Sequence, residues 1–282
     1  MFESIGRSFE LVRTSWNILM DDKKLLVFPV LSGIVTLIVI LSFFLPLLVS
    51  GTLLGMTHAG PVVYYGLLFL FYVASYFVVI FFNTALISCV NAKLNGKDMS
   101  VGEGISNAAN HLPAILGWAI VSATVGIVLH LLERRSGFLG QIVFSLLGGA
   151  WALVTYFVVP VLVLEDKGVF AALGESFSLI KKTWGESIVG SVGMAVVFVG
   201  IGVIAALCVI ATMLLGNAAI FLAALALFLI LVVILAVVYY AMQAIYVTAL
   251  YTYAKTGTVP SAFHPDLIQN AFAPKQIGPG NI

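Results

Sequence analysis

The chain has 282 residues, 62% of them hydrophobic and only 9% charged, with a formal net charge of +1. Soluble domains carry about 25% charged residues. This composition therefore excludes an ordinary soluble protein, and the near-neutral charge excludes a strongly basic nucleic-acid binder or an acidic tail.

The first predicted element is a head of about 25 residues containing Glu3, Glu10, Asp21 and Asp22. Its segment 4–16, SIGRSFELVRTSW, recurs at 172–184 as ALGESFSLIKKTW. Gly6, Ser8, Phe9, Leu11 and Trp16 match Gly174, Ser176, Phe177, Leu179 and Trp184 at a constant offset of 168. Both copies are amphipathic at helical spacing. Ile5, Phe9, Val12, Trp16 and Leu19 form one stripe, and Leu173, Phe177, Ile180, Trp184 and Ile188 the other, because steps of three and four return to the same helix face. A weaker third copy lies at 101–112, where Val101, Ile105, Ala108 and Leu112 keep the spacing but the aromatic residues are gone.

Apolar runs long enough to cross a bilayer, which takes about 20 residues, follow at roughly 26–50, 62–90, 113–132, 139–164, 188–214 and 218–252. The first is too long for the apolar part of a signal peptide and is read as a retained span. Gly216-Asn217 is the turn between the last two. Pro160, inside the fourth run, is expected to kink or shorten that helix. The expected fold is thus all-α and polytopic: six transmembrane helices in three repeats, each an amphipathic surface helix plus a helical hairpin. The repeats cover about 1–90, 98–164 and 168–254 of a single domain, 1–254, and 255–282 form a Pro-rich cytoplasmic tail.

Eleven of the 13 Lys and Arg residues fall in the head, the 91–112 and 165–187 segments and the tail; only Arg134 and Arg135 fall on the other side. The positive-inside rule then places both termini in the cytoplasm. The surface helices have two readings, an interfacial anchor or a brace against the ends of the spans. Phe9, Trp16, Phe177 and Trp184 are the candidate anchors; Arg13, Lys181 and Lys182 are the candidate headgroup or partner contacts. Small-residue pairs such as Ser122/Gly126, Ser145/Gly149 and Gly202/Ala206 mark candidate close-packing seams between spans.

No catalytic constellation accompanies this architecture. Every Asp, Glu, Lys and Arg maps to a loop, head, tail or helix end, so the intramembrane charge on which ion-coupled transport usually depends is missing. Asn83 and Gln243 read as interhelical hydrogen-bonding residues, His130 as interfacial, and Cys89 and Cys208 as small apolar residues rather than a disulfide or metal pair. No nucleophile elbow, phosphate loop or zinc spacing is present. No cofactor is expected.

The stretch VVPVLVLEDKGVFAALGESFSLIKKTWGE (158–186) and the tail ALYTYAKTGTVPSAFHPDLIQNAFAPK (249–275) resemble a group of uncharacterised six-helix prokaryotic membrane proteins. That group is similar, more distantly, to the membrane domain of glycerophosphodiester phosphodiesterases. The resemblance implies the six-helix fold with cytoplasmic surface helices. It implies no catalytic residues, since in the phosphodiesterases these belong to a separate soluble barrel. The sequence thus points to a non-enzymatic protein of a prokaryotic cytoplasmic membrane whose cytoplasmic amphipathic helices organise membrane lipids or partner proteins, and not nucleic acid. A protein partner or a second copy of the chain is left open. The rival reading is a transporter or channel for a lipid or uncharged apolar solute.

Overall fold

The computed structural model describes residues 2–49, 60–135, 137–214, 216–260 and 263. The described residues form helices, turns and loops without a strand. The helices are α1 (Phe2–Asp21), α2 (Val27–Val49), α3 (Gly60–Leu94), α4 (Val101–Asn110), α5 (Leu112–Arg135), α6 (Phe138–Val154), α7 (Val158–Leu164), α8 (Val169–Met213) and α9 (Ala218–Thr256), with one 3-10 turn at Lys23–Leu26. Six helical stretches are long and apolar enough to cross a membrane: Lys23–Pro46, Tyr65–Leu94, Leu112–Glu133, Gly140–Leu164, Gly193–Met213 and Ala218–Thr256.

The boundaries have local causes. Ser100 caps α4: its hydroxyl accepts from the Glu103 N–H, and the Glu103 carboxylate accepts from the Ser100 N–H at 2.7 Å. This reciprocal box satisfies donors that a helix start otherwise leaves open. Asn217 caps α9 by accepting from the amides of Ala219 and Ile220. Gly257 ends α9 in the left-handed region at φ 71°, and its N–H donates to the Tyr253 carbonyl at 2.8 Å.

The chain forms two compact units. One holds α2 to α7 and the start of α8 through Lys181. Its core includes Phe28, Leu86, Ile87, Ile115, Phe157, Leu162 and Leu179, all essentially inaccessible. Here α5 and α6 pack side by side, with Trp118 stacked on Trp151 at 5.9 Å between ring centroids. In the same unit Phe71 receives the rings of Phe43 and Phe44 edge-on. The other unit holds α1, the 3-10 turn, the remainder of α8 and α9. There α1 packs on α9, burying Ser15, Ile18, Leu19 and Leu25 together with the Ala244–Tyr251 stretch of α9.

Two sequence expectations change. The second amphipathic copy is not a helix of its own: Val169–Met213 is one uninterrupted helix that continues into the fifth span. The first copy, by contrast, is separated from α2 by Asp22 and a 3-10 turn. Also, only one of the small-residue pairs has a close neighbour. A Cβ on Gly126 would lie 3.4 Å from the Tyr76 hydroxyl, whereas Gly149 and Gly202 have nothing within 4 Å.

Candidate membrane-interface site

The amphipathic segments use their faces differently from a simple apolar-in, polar-out division. In α8 the buried face is Ala172, Ser176, Leu179 and Ile180. Phe177 is 44% exposed and Phe170 is 79% exposed. Lys181 sits over the outer face of Phe177, its Nζ 4.2 Å from the ring centroid, a cation–π pair. In α1, Ser15, Ile18 and Leu19 are buried, while Trp16 is 43% exposed and Arg13 is also exposed. In α4 the buried residues are Gly104 and Ala108, and Leu112, just beyond its end, is exposed. The stripes are therefore split: buried positions are small or aliphatic, whereas Trp16 and Phe177 stay outside, Phe177 with Lys181 over its ring. Small residues such as Ala172, Ser176 and Ser15 share the inner face with Leu and Ile, because close approach to a neighbouring helix yields contact there.

Of the predicted contacts, Arg13, Trp16, Phe177 and Lys181 are thus at the surface. The side chains of Phe9, Lys182 and Trp184 lie outside the described residues. Pro160 falls in the first turn of α7, three residues after the fourth span is interrupted at 155–157.

The inner face of the 169–181 segment is held by polar contacts that the sequence did not announce. The Ser176 hydroxyl accepts from the Phe157 N–H at 3.0 Å and donates to the Val154 carbonyl at 2.6 Å. Lys167, at the turn into α8, donates to Glu165 at 2.7 Å and lies 3.3 Å from Glu175. Its ammonium pKa is raised, first by the hydrogen bond to Glu165 and then by Glu175. Asp166 adopts a left-handed φ of 53°, which Asp tolerates better than most residues. Its carboxylate lies 3.4 Å from Nε2 of His111, whose Nδ1 is 2.7 Å from the Asn107 carbonyl. Asn107 in turn donates to the Ser88 hydroxyl at 2.8 Å. These bonds bring together the end of α3, the α4–α5 corner and the start of α8, which are the basic segments that follow the second and fourth spans.

Only one of these features carried a sequence signal. Ser100-Val101-Gly102-Glu103 has the S-x-x-E spacing of a capping box. The partners of Ser176, His111 and Asn107 lie up to 55 residues away in sequence and have no local pattern. Among the described residues, no group of three or more His, Cys, Asp or Glu side chains could hold a metal ion.

A family model matches residues 62–261. The chain belongs to a family of unknown function, DUF6159. The match takes in Pro160 and the whole second copy, including Phe177, Lys181, Lys182 and Trp184, and leaves Phe9, Arg13 and Trp16 outside it. No curated protein and no solved structure matches the chain, and the wider likeness to the phosphodiesterase membrane domain finds no support in these comparisons.

Proposed function

We propose that this DUF6159 member is a non-enzymatic, multi-pass protein of a prokaryotic cytoplasmic membrane. Both termini are cytoplasmic, and the outer faces of its three amphipathic segments organise anionic lipid headgroups. The observation that supports this is the cation–π pair of Phe177 and Lys181 on the outer face of α8, with Trp16 and Arg13 both exposed on α1. An aromatic ring prefers the interfacial layer, and a nearby cation is attracted to anionic headgroups. Anchor and brace become two faces of one segment: the inner face packs on protein, and the outer one meets the headgroups. The three-repeat origin of the chain belongs to the same reading and rests on the sequence pattern.

The test is lipid retention. The full chain is purified in nanodiscs of mixed neutral and anionic lipid, and the lipid that survives gentle release is measured by native mass spectrometry. Phe177→Ser with Lys181→Gln, and Trp16→Ser with Arg13→Gln, should each reduce the anionic lipid retained without lowering the unfolding temperature much. Unchanged retention in both double variants would refute the reading.

One observation favours the rival transport reading. The fourth span is broken, and interrupted helices at membrane depth are recurrent features of transporter binding sites. Against it, the break is packed in protein, with Phe157, Val158 and Val161 fully buried. Protein-dependent lipid scrambling or solute flux in proteoliposomes would favour transport.

A further inference from the structure

The interruption of the fourth span can be followed bond by bond. A continuous helix would pair the Phe157 N–H with the Leu153 carbonyl and the Val158 N–H with the Val154 carbonyl. Here the Leu153 carbonyl instead takes the Tyr156 N–H at 3.1 Å, and the Thr155 carbonyl takes the Val158 N–H at 3.0 Å. This shift to tighter pairing takes the Phe157 N–H and the Val154 carbonyl out of the helical ladder. Pro160 reinforces the shift, because it has no N–H to offer the carbonyl four residues earlier.

Both displaced groups are taken by one atom. The Ser176 oxygen accepts from the Phe157 N–H at 3.0 Å and donates its proton to the Val154 carbonyl at 2.6 Å. A hydroxyl is the smallest side-chain group able to do both. Ser176 is fully buried, as are Phe157 and Val158, whereas Val154 is partly covered. The next residue, Phe177, faces outward with Lys181 over its ring. The 176–181 stretch of α8 therefore carries the outer aromatic and basic pair on one side and a two-bond tie to the broken span on the other.

We infer that Ser176 is a latch, which couples headgroup docking at Phe177 and Lys181 to the state of the break at residues 155–157. This rests on the lipid-docking reading above and adds its regulation. When the outer face is held by anionic headgroups the latch is closed and the break is dry. When the outer face is released, α8 can shift, the two backbone groups at the break lose their partner, and water must satisfy them.

The test combines hydrogen exchange with lipid retention, on the full chain in nanodiscs with and without anionic lipid. Ser176→Ala should accelerate amide exchange at residues 155–160 by about tenfold or more, the size expected for one lost buried hydrogen bond, and, because coupling is reciprocal, it should also weaken anionic-lipid retention, by no more than the same factor. Ser176→Cys, close in volume but weak in hydrogen bonding, should lie between, and it serves if the alanine variant does not fold. In the wild type, removing anionic lipid should accelerate exchange at 155–160 and leave 140–150 unchanged. Phe177→Ser with Lys181→Gln should reproduce that effect and also lose retained lipid.

Unchanged exchange at 155–160 in both Ser176 variants overturns the latch, whatever the lipid result. Lost lipid retention in the Phe177/Lys181 variant with unchanged exchange overturns the coupling and leaves the docking reading standing. Unchanged retention in that variant overturns the docking reading, and the coupling with it.

Discussion

Gly104 is the position at which a single added methyl group should say most about this structure. It lies in α4, where a Cβ would come 2.6 Å from Sγ of Cys89, 3.1 Å from the Ala85 carbonyl oxygen and 3.1 Å from Cζ of Phe28. Real Cβ atoms do not approach a sulfur at 2.6 Å, so Gly104→Ala must displace either the thiol or the helix. The thiol has little room: Cys89 is buried, and its sulfur lies 3.7 Å from the Ser100 carbonyl. Overpacking of a tight core costs about 1–3 kcal/mol. Replacing a helical glycine by alanine returns about 1 kcal/mol of backbone preference. The balance is a net loss of about 0–2 kcal/mol on that scale; the 2.6 Å approach puts Gly104 toward the upper end, with a shift of α4 away from α3.

Thermal unfolding of the purified chain in one detergent, with the variants side by side, reads this directly. Gly104→Ala should unfold at a lower temperature than wild type. Gly102→Ala, on the same helix but with nothing within 4 Å, should be neutral or slightly stabilising. Cys89→Ala removes the closest atom, so the Cys89→Ala, Gly104→Ala pair should recover a large part of the loss, leaving the contacts with the Ala85 carbonyl oxygen and Phe28 Cζ, both at 3.1 Å, as the residual cost. A double-mutant cycle isolates that coupling. If Gly104→Ala is as stable as wild type, or Cys89→Ala rescues nothing, the close packing of α4 on α3 is wrong.

Gly257→Ala should destabilise the end of α9 by about 1 kcal/mol, because its φ of 71° is costly for any residue with a Cβ, and this is checked by the same melts. The Glu103 carboxyl is held below its ordinary pKa of 4.5, first by the Ser100 N–H and then by the Ser100 hydroxyl. A depressed folded pKa gives stability that is present above 4.5 and lost as pH falls through the folded value. Exchange of the α4 amides, corrected for intrinsic rates, should therefore rise on acidification below that pH in wild type and show a smaller pH dependence in Glu103→Gln.

The legible part of this protein was whatever depends on local composition and periodicity. The six apolar runs announced six helices able to span a bilayer, because lipid demands about 20 apolar residues wherever a chain crosses it, whatever packs beside it. The match of Phe9/Trp16 with Phe177/Trp184 is readable as a pattern of the sequence for the same reason: helical period is a one-dimensional property. One helix boundary was legible too: Gly216-Asn217 reads as a turn, and Asn217 caps α9 through backbone amides within three residues of itself.

Tertiary structure alone decided how the amphipathic faces are shared out. Phe177 and Ile180 belong to one stripe by spacing, yet Ile180 is buried and Phe177 is outside under Lys181. Which edge of a stripe turns inward depends on the shape of the neighbouring helices, and only contact reveals that shape. The break in the fourth span has the same character. Pro160 marked a disturbance, but the break at 155–157 is completed by Ser176, 19 residues beyond Phe157. A hydroxyl that satisfies two backbone groups of another helix leaves no pattern in the sequence, because its partners are main-chain atoms that every residue possesses.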